Sequence, residues 1–184
     1  TKVTPSTTKG PRVVLWDFGA KDNIERELLK RGATVIRMPS HSTCEEILAQ
    51  KPDAIMLSNG PGDPEEAQGV IAELKKLSAH KLPTFGICLG HQLLALSHGF
   101  KTFKLKYGHR GANQPARDLV TDRIFITSQN HGYAVDPSTI DANVAKERFV
   151  NSNDGTCEGI DYVNEPTFSV QFHPEACGGP KDTA

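Results

Sequence analysis

The sequence predicts an α/β fold: a doubly wound, mostly parallel central sheet with flanking helices and antiparallel additions in the C-terminal half. Three observations carry that expectation. Between Arg12 and Gly99 short β-branched runs alternate with amphipathic runs, the pattern of parallel strands joined by right-handed helical crossovers. From Thr84 to Gln92 a β-rich run meets a helix-forming run, with a cysteine at the join and glycines two residues to either side. Beyond Gly99 the alternation gives way to short strand-like runs with little helix.

Taken in order, Thr1 to Pro11 is polar, rich in Thr and Lys, and lacks an initiating Met. It reads as a linker or cut end, and the missing Met leads us to expect a larger polypeptide whose preceding domain is absent. A chain of 184 residues is long enough for one well-cored domain and short for two, so residues 12–184 are expected to form one domain. The strand-then-helix pairs are Val13 to Asp17 with Asn23 to Lys30, Thr34 to Arg37 with Thr43 to Gln50, Ala54 to Leu57 with Pro64 to Leu77, and Thr84 to Ile87 with Leu89 to His98. Ser42 with Glu45 and Thr43 with Glu46 offer capping boxes, Pro64 suits a first helical turn, and Gly32 and Gly99 suit helix ends. Strand-like runs follow at Thr102 to Lys106, Arg123 to Thr127, Val144 to Val150, Glu158 to Val163 and Thr167 to Phe172. All are read as antiparallel additions, with Asn153-Asp154-Gly155 a hairpin turn.

Composition excludes several function classes. The net charge is −1 with both signs interspersed, which leaves no footprint for nucleic acid or an anionic membrane surface. The Lys101 to Lys106 cluster reads as a solvated strand face. No apolar run is long enough to span a bilayer, and no charged-then-apolar leader opens the chain. Four scattered cysteines, Cys44, Cys88, Cys157 and Cys177, form no disulfide framework and suit a reducing cytoplasm. Cys88 and His91 share helical spacing, but without C-x-x-C or a second ligand pair no metal is expected.

The chemistry centres on Gly86-Ile87-Cys88-Leu89-Gly90, the G-x-nucleophile-x-G spacing of a strand-to-helix elbow. Side chains at the glycine positions would collide as strand and helix close on each other. At a helix start the dipole and free N–H groups favour a thiolate. A base is supplied by His173-Pro174-Glu175, where proline ends the last strand and His173 falls on the rim that holds Cys88. Glu175 can hold the imidazole tautomer and stabilise the imidazolium. His91 should aim away from the nucleophile, and His41, His80 and His98 lie near helix ends; His109 and His131, read as lying in Gly-rich loops, stay open as alternatives. For the developing oxyanion, the Leu89 N–H is one donor and the loop Ser58 to Asp63 should furnish the second. That loop lacks the P-loop and dinucleotide glycine patterns, and Pro61 removes a donor.

Together, Gly86 to Gln92, the loop Ser58 to Pro64 and Phe172-His173-Pro174-Glu175 resemble the triad-type (class I) glutamine amidotransferases. A finer similarity, to the glutaminase domain of carbamoyl phosphate synthetase small subunits, lies in Ser58 to Pro64, Tyr107-Gly108-His109-Arg110-Gly111-Ala112-Asn113 and Ser128-Gln129-Asn130-His131-Gly132-Tyr133. It runs from about Val13 to Asp182. The resemblance implies that Cys88 attacks the side-chain amide of L-glutamine, that His173 protonates the departing ammonia, and that water hydrolyses the thioester. It implies oxyanion contacts from Gly60 and Leu89, and substrate contacts from these two with Gly62, Gln92, Asn130, Gly132 and Tyr133. It further implies no cofactor in this domain. Ammonia would pass through a channel into a large synthetase subunit that binds ATP and bicarbonate, and a separate preceding domain would add a glutamine contact and much of the partner interface.

Two other functions are compatible with the residues. A stand-alone cysteine hydrolase of γ-glutamyl peptides or other amides would share the triad and differ in substrate profile. A catalytically silent docking domain would keep the fold, although Cys88, His173 and Glu175 are all present.

Overall fold

The computed structural model describes residues 1–176; Cys177 and the end of the expected domain, to Ala184, lie outside the described residues. Ten strands form one sheet in the order β1-β3-β2-β4-β5-β10-β9-β8-β6-β7. Its centre is parallel: β3 (Thr34–Pro39), β2 (Arg12–Asp17), β4 (Ala54–Leu57), β5 (Thr84–Ile87) and β10 (Thr167–Val170) run the same way. Antiparallel strands extend both ends, with β1 (Lys2–Thr4) on β3, and β9 (Cys157–Tyr162), β8 (Ala145–Asn151), β6 (Thr102–Asp118) and β7 (Ile124–Val135) beyond β10. The helices are α1 (Asp22–Lys30), α2 (Cys44–Ala49), α3 (Gln68–Ser78) and α4 (Leu89–Ser97). Among the described residues no helix is long and apolar enough to cross a membrane.

The central strands read as nearly continuous apolar runs because both faces are covered. Val14, Trp16, Ile55 and Leu57 face a core shared with α2, α3 and α4. Val13, Leu15, Met56 and Ile87 face the side on which α1 packs. Thr43 and Glu46 form the expected capping box at the start of α2, whereas Ser42 turns its hydroxyl to Pro39 O instead. Gly32 and Gly99 end α1 and α4 with φ of 85° and 86°.

Four expectations need correction. The N-terminal stretch is not all linker, since Lys2–Thr4 pairs with β3 along an edge that has no other strand partner among the described residues. The run Pro64 to Leu77 is not one helix: Pro64–Glu66 is a single 3₁₀ turn and α3 starts after Ala67, whose ψ of 44° interrupts the helix. The segments around His109 and His131 are not loops but lie inside β6 and β7, directly paired with each other. Gly108 and Gly111 take φ of 70° and 127° at irregularities in that ladder, which lets the strand continue where a loop was read. Finally, the last strand is not an antiparallel addition. Because β9 runs antiparallel to its neighbours, the reversal after it brings β10 back parallel to β5, with Val170 opposite Ile87.

The steric account of the elbow is specific. A Cβ at Gly90 would lie 2.5 Å from Leu57 O, and one at Gly86 would lie 2.8 Å from the Gly90 carbonyl carbon. Backbone atoms cannot swing aside as a side chain can. We expect Gly90→Ala to lower unfolding stability in chemical denaturation by about 3 kcal/mol, the upper end of the usual cost of overpacking. Gly69→Ala, at an exposed position of α3 with nothing near the added methyl, should be neutral or stabilise by up to about 1 kcal/mol.

Candidate active site

Cys88 joins β5 to α4 with φ 53° and ψ −103°, a conformation that costs a non-glycine residue on the order of 1–3 kcal/mol. Hydrogen bonds on every side hold it there: Cys88 N donates to Val170 O (2.9 Å), Gly90 N to Ser58 O (3.1 Å) and Gln92 N to Cys88 O (3.2 Å). The first ties the elbow to β10 and the second to the end of β4. The corner is therefore set by the two strands that flank β5.

The same pairing delivers the imidazole. Three residues after Val170 the chain reaches His173, whose backbone N–H donates to Ser128 O of β7 at 2.8 Å. His173 Nδ1 lies 2.7 Å from Glu175 Oε1. A carboxylate only accepts, so Nδ1 carries the hydrogen and Nε2 is left with the lone pair. Glu175 is itself anchored: Asn23 Nδ2 donates to its backbone oxygen, and Lys21 Nζ lies 3.9 Å from its carboxylate. Cys88 and His173 line one cavity of about 550 Å³ together with Gly60, Gly62, Gln92, Asn130, His131, Gly132 and Tyr133. Of the remaining expected residues, Leu89 follows Cys88 as the first residue of α4 and Glu175 meets the His173 ring.

The loop after β4 is built to bring its backbone close. Phe18 N donates to Ser58 Oγ (2.9 Å), Ser58 Oγ to Asn59 O (2.7 Å), and Lys21 N to Asn59 Oδ1 (3.1 Å). A Cβ at Gly60 would lie 2.3 Å from Phe18 O, so only glycine fits. Among the described residues neither the Gly60 N–H nor the Leu89 N–H is taken by a backbone acceptor. The Leu89 N–H reaches the sulfur itself, and Gly60 lines the same cavity as Cys88.

The thiol differs from the sequence expectation. Burial is the largest influence on Cys88 and pushes its pKa up to about 12, against the lowering effect of the Leu89 N–H. The nearby charge of Glu175 raises it further, while Lys21 and Gln171 lower it. The helix terminus is therefore outweighed, and at neutral pH the group rests as a thiol. Sγ and the His173 ring are not hydrogen-bonded to each other; Sγ instead takes a 3.6 Å contact from Gln171 Nε2 and lies 4.0 Å from Asn130 O. Gln171, immediately after β10, is a site residue that sequence reasoning missed. The one available signal was its place two residues before His173, in step with the alternation of β10.

The other histidines around the site are occupied. His91 packs fully buried with Nδ1 2.7 Å from Ser169 Oγ, and burial pushes it down to about 3. His98 meets Leu94 O and Glu165 at the end of α4. His131 does face the cavity, but its ring nitrogens lie 2.7 Å from Tyr133 O and 2.9 Å from Gln129 Oε1, which removes it as a base. His109, His131 and Glu158 are close enough to reach a common ion. His109 is instead held between Asp154 Oδ2 (2.8 Å) and Glu158 Oε1 (3.3 Å), and these carboxylates, Glu158 first, push it up to about 9.

The chain matches the family model "Glutamine amidotransferase class-I" over residues 14–184. It is 49% identical over 182 residues to the carbamoyl phosphate synthase small chain of Fusobacterium nucleatum, covering 99% of this chain and 51% of that one. It is 53% identical over 178 residues to the small chain of Bacillus cereus (97% and 48%) and 50% identical over 173 residues to that of Methanopyrus kandleri (94% and 48%). The chain spans about half the length of these relatives. Among solved structures, a GMP synthase subunit from Thermoplasma acidophilum superposes with a TM-score of 0.80 at 20% identity, covering 93% of this chain and 87% of that one. A glutamine amidotransferase from Thermotoga maritima gives 0.70 at 18% identity, covering 92% and 78%. At such identities these two speak for the fold.

The His109 cluster behind the Asn130–Tyr133 segment should be visible as pH-dependent stability. Because His109 is raised from about 6.5 to about 9 in the folded chain, its contribution is fully present below pH ~6.5 and is lost as pH rises through ~9. Thermal melts of the wild type and His109→Gln should therefore differ most at pH 6. By pH 10 the gap, on the order of 2 kcal/mol, should have largely closed.

Proposed function

The chain belongs to the class-I glutamine amidotransferase family, and from that premise we propose that it is the glutamine-hydrolysing domain of a carbamoyl phosphate synthetase small chain. The observation that carries this reading is the shared cavity. A cysteine on a strained elbow and an imidazole oriented by a carboxylate line the same chamber, brought there by neighbouring parallel strands. Identities near 50% to small chains of three organisms support the finer choice.

In this reading the side-chain carboxamide of L-glutamine enters between the Gly60 loop and the β7 segment 130–133. Because burial keeps Cys88 protonated, attack on the amide carbon is coupled to transfer of the thiol proton to His173 Nε2. Glu175 steadies the imidazolium that forms. Negative charge builds on the amide oxygen, where the Leu89 and Gly60 N–H groups receive it; one such donor is worth about 3 kcal/mol of barrier. Collapse of the tetrahedral species breaks the C–N bond, His173 gives its proton to the leaving nitrogen, and ammonia departs. Water, deprotonated by the same imidazole, then hydrolyses the thioester and releases glutamate. Gln92, Gly62, Asn130, Gly132 and Tyr133 hold the substrate, Gly132 and Tyr133 through backbone groups at its amino-acid end. The chemistry asks for no cofactor in this domain.

Residues 12–184 would act as the catalytic domain and follow a separate small-chain domain. The ammonia would be delivered through a channel to a large subunit that joins it to bicarbonate with ATP as the energy source, in the cytoplasm.

Incubation of the purified chain with glutamine, alone and with a synthetase large subunit, should release glutamate and ammonia, and a glutamine-like chloroketone should add its mass to Cys88. A folded chain that does neither, in either setting, would sink the proposal; preference for γ-glutamyl peptides over free glutamine would replace it with a hydrolase. Cys88→Ala should abolish turnover, and unchanged ammonia release would clear the cysteine. Glu175→Gln should be milder than replacing Cys88 or His173, since it disturbs orientation and charge without removing a reacting group.

A further inference from the structure

Gln171 is completely buried and directs its side chain into the site. Its amide orientation follows from its neighbours. Gln92 Nε2 lies 2.8 Å from the backbone oxygen of Tyr133, which can only accept, so the nitrogen of Gln92 must face it. That nitrogen also lies 3.0 Å from one end of the Gln171 amide, which must then be oxygen. The other end, the NH₂ group, is left facing Cys88 Sγ at 3.6 Å. A chain of hydrogen bonds thus runs from the β7 segment through α4 to the reacting sulfur.

We propose that Gln171 is a further catalytic residue of this site, donating a hydrogen bond to Cys88 Sγ that favours the nucleophilic form while its oxygen couples the sulfur to Gln92. The inference rests on the reading of Cys88 as nucleophile. Burial opposes charge on this sulfur, and the donors directed at it are the Leu89 N–H and the Gln171 amide. Gln171 transfers no proton; the thiol proton leaves to His173, and the amide favours the electron pair that remains. A purely structural role, holding Gln92 in place, would need only the oxygen.

Two variants separate these roles. Q171L removes both donor and acceptor, whereas Q171E keeps an acceptor for Gln92 and sets a carboxylate against the sulfur. The readout is the rate of Cys88 alkylation by iodoacetamide at pH 8, followed by mass spectrometry of the Cys88 peptide, with circular dichroism reporting the fold. We expect both variants to alkylate at least tenfold more slowly than wild type, Q171E no faster than Q171L, and kcat for glutamine to fall further than KM rises. A rate within threefold of wild type in either folded variant overturns the proposal. If Q171L does not fold, Q171E decides alone. Alkylation does not require glutamine turnover, so an inactive wild type would defeat the glutaminase reading and leave this test intact.

Discussion

The parallel pairing of β10 with β5 is the constraint on which everything else rests. One of its hydrogen bonds, Cys88 N to Val170 O at 2.9 Å, both closes the elbow and sets the register that carries Gln171 and His173 to the thiol. Those residues are separated from it by more than eighty positions in the chain. Strand pairing brings them together because parallel neighbours end on the same rim, and loops beyond that rim face one another. The antiparallel β9 is what allows this, since it lets the chain return to the centre of the sheet without a crossover helix.

A buried nucleophile is here reconciled with its surroundings. Low polarity around Sγ raises the cost of a thiolate, more than the start of α4 can offset. In the proposed reaction reactivity is conditional: charge on the sulfur would be created as the imidazole takes the proton and as donors meet the oxyanion. The same exclusion of water strengthens each of those contacts. Gly60, Gly86 and Gly90 each stand where a Cβ would strike backbone, so the absence of side chains is what lets the main chain approach closely.

Polar groups around residues 130–133 have an organising role. His109, clamped by Asp154 and Glu158, stands edge-on to His131 at 5.0 Å between ring centroids. His131 in turn holds Tyr133 O and Gln129. Positions 130–133 are thereby held in place by β6 and β7 strand structure and by the His131 contacts, so that strands rather than loops shape this wall of the chamber.

Much of this was legible in the chain itself. Local rules suffice for an alternation of apolar runs, for the Thr43–Glu46 cap and for a cysteine between two glycines, because each depends on residues a few positions apart. The parallel centre, the elbow, the Gly60 loop and the pairing of His173 with Glu175 all follow from such patterns. The direction of β10, the edge strand at Lys2–Thr4, the strand character around His109 and His131, the resting thiol and the contact from Gln171 did not. These depend on which distant segments become neighbours and on how much water they exclude, and only the folded chain decides that.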